Sequence, residues 1–205
     1  MRLPGACAMA KDAMNQEHRI TIAGFGGQGI LTMGRLLCVS AMNDGKQVTY
    51  LPSYGSEVRG GTAHCYVVIS PEPIFSPFVE MADSLIILNH PSFERFGDTV
   101  RAGGLVLLNT SMVEPGDYGR THRVVLVPIR ATELAAEMGN VVVGNVLLLG
   151  AFVAVSGICR LESVEGALRE FLTGPKTSTL ELNLRALRRG AEIGTQSALP
   201  TGTAS

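Results

Sequence analysis

Apolar residues follow two rhythms along this chain: short unbroken runs, and longer stretches in which they recur every three or four positions. Residues 20–23 form the first run and 30–37 the first helical stretch, so the chain opens as strand, glycine-rich turn and helix. Asn43-Asp44-Gly45-Lys46 is a turn signal that ends this helix and starts a second strand over 47–51. Such a strand-helix-strand unit predicts a parallel pair joined by a right-handed crossover. The β-branched and aromatic stretch 63–70 reads as a third strand, and Pro71, Pro73 and Pro77 make 71–78 a loop or edge segment. Two further unbroken runs, 84–89 and 105–109, read as strands covered on both faces. Between them a helix is expected over 91–101, with Gly103-Gly104 just past its end. Each run closes on an asparagine, Asn89 or Asn109, at the carboxyl edge where open α/β sheets bind ligands; a turn-forming role explains both equally well.

In the second half, Pro115-Gly116-Asp117 marks 113–121 as a loop or ribbon turn before a strand at 123–128 and a helix from near Thr132 to Met138. Residues 141–155 are apolar on nearly every side, with Gly144, Asn145 and Gly150 as the gaps. That length suits a helix buried all round better than a membrane span, and a partner subunit must cover it if the domain's own core does not. An amphipathic helix over 161–172, a break at Gly174-Pro175-Lys176 and a last helix over 179–193 follow, the last with Arg185, Arg188 and Arg189 on a solvated face or, as the alternative, at an interface or phosphate contact. The fold expected is a single α/β domain over 18–194, Rossmann-like, with a mainly parallel sheet and additional C-terminal helices. Residues 1–17 are expected to be a disordered extension and 195–205 a flexible tail.

Composition narrows the function. In 205 residues, 46% are hydrophobic and only 17% charged, so part of the surface is expected to face another protein. A formal net charge of -1 gives no long-range attraction to nucleic acid or to an anionic membrane. Cys7, Cys38, Cys65 and Cys159 are far apart with no Cys-x-x-Cys pair, which is the spacing of reduced cytosolic thiols rather than of an iron–sulfur or zinc site. The N-terminal segment has Arg2 but no continuous apolar core before Lys11 and Asp12, so no secretory signal fits and a cytoplasmic location is expected. His64 has no partner at metal-ligand spacing and reads as a hydrogen-bonded side chain on a strand face.

Two stretches carry candidate chemistry. Gly24-Phe25-Gly26-Gly27-Gln28-Gly29, between strand and helix, is a place for an anion: glycines let a ligand approach the main chain, and the helix start favours a phosphate. A dinucleotide site would also need an acidic residue about 20 positions on, and 47–51 contains none, which counts against NAD. The second stretch, 53–62, combines hydroxyls at Ser53, Tyr54, Ser56 and Thr62 with Glu57, Arg59 and the glycines Gly55, Gly60 and Gly61. One fixed cation beside exposed backbone donors suits a phosphate or carboxylate.

Together these stretches, Gly24-Phe25-Gly26-Gly27-Gln28-Gly29-Ile30 and Ser53-Tyr54-Gly55-Ser56-Glu57-Val58-Arg59-Gly60-Gly61, resemble the gamma subunit of 2-oxoacid:ferredoxin oxidoreductases. The likeness runs through 139–150 and into Leu180-Glu181-Leu182-Asn183-Leu184-Arg185-Ala186-Leu187, covering 19–194. The second motif looks closer to the 2-oxoglutarate and branched-chain members than to the pyruvate or indolepyruvate ones, although many such motifs carry Pro where Ser56 stands. The resemblance implies that Gly24, Gly26, Gly27, Gln28, Gly29, Ser53, Tyr54, Arg59, Gly60 and Gly61 help bind coenzyme A, with no catalytic or metal-binding residue on this chain. It further implies alpha and beta subunits and, where present, a ferredoxin-like delta subunit, which hold thiamine diphosphate, Mg and the iron–sulfur clusters and pass electrons to ferredoxin. The lack of a clustered cysteine set and of a Gly-Asp-Gly start, since Tyr118 follows Gly116-Asp117, agrees with that division of labour. Two rivals stand beside it: a structural subunit whose loops only dock onto the catalytic ones, and a free-standing nicotinamide-dependent enzyme.

Overall fold

The computed structural model describes residues 16–54, 62–116, 118 and 123–197, with only the backbone of 54, 62, 175 and 176. The strands are β1 (His18–Phe25), β2 (Gln47–Tyr54), β3 (Thr62–Ser70), β4 (Ala82–Ile87), β5 (Val100–Asn109) and β6 (Val125–Ile129). They form one six-stranded sheet in the order β2-β3-β1-β4-β5-β6. Pairings from β1 through β4 and β5 to β6 are parallel, while β3 runs antiparallel to both β1 and β2. The sheet is thus mainly parallel, as the sequence suggests, but β1 and β2 are not neighbours. The expected adjacent pair fails because the link from Tyr54 to Thr62 is too short for a crossover, which takes a dozen residues or more, so β3 must turn back along β2. It then occupies the slot beside β1.

The helices are α1 (Ile30–Asn43), α2 (His90–Phe96), α3 (Ala131–Glu137), α4 (Gly144–Ser156), α5 (Leu161–Phe171) and α6 (Leu180–Ser197). Ile30, Met33, Leu36 and Leu37 of α1 share one core with α4 and α5, on one face of the sheet. Phe96 of α2 belongs to the core on the other face, with Val79, Val113 and Tyr118. Two expected boundaries shift here. The helix predicted to reach Arg101 stops at Phe96, and after one 3-10 turn β5 begins at Val100, where the Arg101 guanidinium bonds Asp83 at 2.6 Å. Gly103 and Gly104 mark an irregularity in the β4–β5 register rather than a helix end: a methyl on Gly104 would lie 2.9 Å from the Asp83 carbonyl oxygen. Arg123, expected to start a strand, takes a φ of 52°, so β6 begins only at Val125.

α4 is buried almost throughout, and the domain supplies the cover itself. α6 lies against it so closely that a methyl on Gly150 would overlap the Leu187 carbonyl, and one on Gly190 the Leu147 carbonyl. α6 also runs through Ser197, so the first residues of the expected tail are helical. No helix among the described residues is long and apolar enough to cross a membrane.

Candidate functional site

Adjacent parallel strands β1 and β4 feed helices on opposite faces, α1 into one core and α2 into the other. A crevice opens at the carboxyl ends of such a strand pair. The glycine turn sits there. Its geometry is a reciprocal clasp: the Gln28 N–H donates to the Phe25 carbonyl at 3.1 Å, and the Phe25 N–H donates to Gln28 Oε1 at 2.7 Å. Gly27, third residue of this turn, has φ 99°, the sign a type II turn requires there, and no atom lies within 4 Å of where its Cβ would be. The crown of the turn, Gly26 and Gly27, is exposed backbone.

Gly29 then starts α1 in the left-handed conformation, φ 76°, with no side-chain cap. Asn145, in the first turn of α4, reaches it across the sheet edge. Its Nδ2 donates to the Gly29 carbonyl at 3.2 Å, and any Cβ on residue 29 would overlap this side chain. α4 has no side-chain cap at Val143, but Asn140 Oδ1 takes the Val142 N–H at 3.0 Å just before it and Asn145 Oδ1 takes the Val146 N–H at 2.8 Å, so of these two helix starts it is that of α1 whose first N–H groups have no side-chain acceptor beside the glycine turn.

Carboxamides fasten the surrounding loops. Asn89 Oδ1 caps α2 by accepting the Ser92 N–H at 2.9 Å, while its Nδ2 donates to Gln28 Oε1 at 3.2 Å. Asn109 Nδ2 donates to the Leu88 carbonyl at 3.2 Å and to Thr132 Oγ1 at 2.9 Å, tying β5 to the start of α3. The two strand-end asparagines are therefore turn formers and cleft builders at once. Between these elements lies a cavity of about 180 Å3 lined by Gln28, Leu88, Asn109, Thr132, Val142 and Asn145, among others.

Gly24, Gly26, Gly27, Gln28 and Gly29 all lie in this turn, as expected. Ser53 and Tyr54 end β2 on the edge of the sheet. Ala63 pairs with Gly24 on one side and with Tyr54 on the other, so both motifs leave the sheet from one row, about 10 Å apart at two strand spacings. Arg59, Gly60 and Gly61, with 55–58, lie outside the described residues. His64 departs from its reading: it is only 6% exposed, packs against the rings of Tyr66 and Phe96, and its Nδ1 makes no hydrogen bond. Burial, with Arg95 nearby, pushes its pKa down. Burial pushes the thiols of Cys38, Cys65 and Cys159 up to about 12, which leaves them unreactive. Sequence reasoning passed over Thr132 and Asn145 as site residues; the one available signal was a lone polar side chain inside an otherwise apolar helix.

A mainly parallel α/β sheet with a glycine turn at its switch point defines a Rossmann-like domain. The chain belongs to the pyruvate ferredoxin/flavodoxin oxidoreductase family, whose pattern matches residues 19–193. It is 39% identical over 179 residues to the ketoisovalerate oxidoreductase subunit VorA of Methanothermobacter marburgensis, covering 86% of this chain and 36% of that one. The chain thus spans about a third of that relative's length. With the 2-oxoglutarate synthase subunit KorC of Methanocaldococcus jannaschii it shares 34% identity over 187 residues, 90% of this chain and 98% of the relative. Its fold matches, with a TM-score of 0.79 and 22% identity over 89% of this chain and 32% of the other, a 2-oxoglutarate:ferredoxin oxidoreductase from Magnetococcus marinus solved with 2-oxoglutarate, coenzyme A and succinyl-CoA bound.

Proposed function

We propose that this chain is the gamma subunit of a multi-subunit 2-oxoacid:ferredoxin oxidoreductase and that its glycine turn binds part of coenzyme A. The complex oxidatively decarboxylates a 2-oxoacid to acyl-coenzyme A with ferredoxin as acceptor, in the cytoplasm. The observation that carries this reading is the cleft: exposed Gly26 and Gly27 backbone beside the uncapped start of α1 suits a phosphate-bearing carrier. The near full-length match to a 2-oxoglutarate synthase subunit supports the assembly, and the coenzyme A bound in the Magnetococcus relative supports the ligand. A 2-oxoglutarate substrate is preferred, with a branched-chain 2-oxoacid as second choice because of the ketoisovalerate relative. Thiamine diphosphate, Mg and the iron–sulfur clusters belong on the alpha, beta and delta partners.

Co-purification followed by a screen of 2-oxoacids with coenzyme A and a viologen dye tests this. Arg59→Ala is expected to raise the apparent KM for coenzyme A about tenfold, the loss of one charge-assisted contact, with the 2-oxoacid KM nearly unchanged. An unaltered coenzyme A response removes Arg59 from the site. A docking role without ligand binding is the second reading, favoured by exposed apolar side chains far from the cleft, Phe75 at 98% and Phe78 at 64% exposure. Normal coenzyme A affinity in residual complex lacking this chain would select it.

A further inference from the structure

The cavity beside the glycine turn differs in chemistry from the turn itself. Among the described residues no charged side chain lines its 180 Å3, and Leu88, Val142 and Leu148 give it an apolar wall. Its side-chain acceptors are already engaged. Gln28 Oε1 takes the Phe25 N–H and Asn89 Nδ2, Asn145 Oδ1 takes the Val146 N–H at 2.8 Å, and Asn109 Oδ1 takes the Thr132 N–H at 3.4 Å. Two donors remain. The Gln28 Nε2 group and the Thr132 hydroxyl proton have no acceptor among the described residues.

We infer that this cavity is a subsite for a neutral, carbonyl-bearing chain, and that it takes the amide-containing pantetheine arm of coenzyme A; the inference rests on the coenzyme A reading above. A phosphate is disfavoured because the described lining offers no cation and would desolvate the charge against carbon. Amide carbonyls match the two free donors, and a methylene chain matches the apolar wall. Gly27 and Gln28 belong to both the turn and the cavity lining, so a carrier whose phosphates rest on the turn has its adjoining arm at the cavity mouth.

The test is equilibrium binding of coenzyme A, pantetheine and adenosine 3′,5′-bisphosphate to the full chain and to its reconstituted complex, for the unsubstituted protein, Thr132→Val and Val142→Glu. Val142 is 68% exposed, so its substitution spares the fold and serves as the second probe. Both variants are expected to weaken coenzyme A and pantetheine about five- to tenfold and to leave the bisphosphate unchanged. Loss confined to the bisphosphate, or equal binding of all three probes by every variant, overturns the subsite while leaving the coenzyme A reading intact. Failure of the unsubstituted complex to bind coenzyme A at all overturns that reading, and the subsite with it.

Discussion

Asn145 and His64 both place a polar side chain where apolar ones surround it, with opposite outcomes. Asn145 spends its carboxamide on the Gly29 carbonyl and the Val146 N–H, so its burial is compensated and the turn is held. His64 leaves Nδ1 unpaired beside Phe96, and burial together with Arg95 keeps its pKa below the ordinary imidazole value. His18 is lowered too, because burial outweighs the attraction of Asp83. A depressed folded-state pKa means that the unfolded chain binds more protons, so stability is full above about pH 6.5 and declines as pH falls below it. Thermal unfolding followed by circular dichroism should show a level midpoint above about pH 7 and a drop between about pH 6.5 and 5. His64→Leu should make that drop shallower, and an unaltered slope would show that His64 does not titrate differently in the fold. At this scale the glycine turn was readable from the chain because its demands are local: a positive φ at Gly27 and a helix beginning three residues later at Ile30. The Asn145 contact was not, since it joins positions 116 apart and position 145 taken alone is a gap in an apolar run.

Among the elements, the same limit separates what periodicity shows from what it does not. The amphipathic faces of α1, α5 and α6 and the unbroken runs of β4 and β5 carry their own burial pattern, and each was readable. The slot of β3 depends on the length of its link to β2, and the cover of α4 depends on another helix. α6 covers it because Gly190 and Gly194 let the backbones approach, with Gly150 answering from α4. The arginines of α6 agree with a solvated face: Arg188 pairs with Glu165 at 2.7 Å and Arg189 with Glu192 at 3.1 Å, both guanidinia about half exposed. Such pairs add little, so the close glycine contact is the stronger bond between these helices and the rest. Gly190→Ala drives a methyl into the Leu147 carbonyl and should cost about 2–3 kcal/mol in chemical denaturation, since neither backbone can yield. Gly166→Ala in α5 meets nothing within 4 Å and should instead stabilise by roughly 0.5–1 kcal/mol. Equal effects of the two substitutions would mean that helix propensity, not the close approach, governs the α4–α6 pair.

For the whole molecule, coverage of the sheet by the described residues is lopsided. One face carries α1, α3, α4 and α5, with Leu184 and Leu187 of α6 in the same core, while the other is covered by the short α2 and by segments that contribute Ile74, Val79, Val113 and Tyr118. The link from β3 to β4 crosses the thin face at the edge opposite the cleft, since Ser70, at the carboxyl end of antiparallel β3, and Ala82, at the amino end of β4, both lie beside the amino end of β1. It tucks Ile74 and Val79 inward and turns Phe75, Phe78 and Met81 outward. Three large apolar side chains within seven residues are expensive to leave in water, about 1.5–3 kcal/mol each if they could be covered. In the ketoisovalerate relative the matched region accounts for 36% of the polypeptide. The ridge lies at the far edge from the glycine turn, where the docking proposed above would place it. Phe75→Ser with Phe78→Ser should therefore change the unfolding free energy by less than about 1 kcal/mol, the two positions being exposed, and yet reduce co-purification of the larger subunits several-fold. Coenzyme A binding by the chain itself should be untouched, because the cleft and the ridge share no residue. Full recovery of the complex with both serines in place would move the interface elsewhere, most directly to the surface around the glycine turn, and would make ligand binding and assembly compete for the same face.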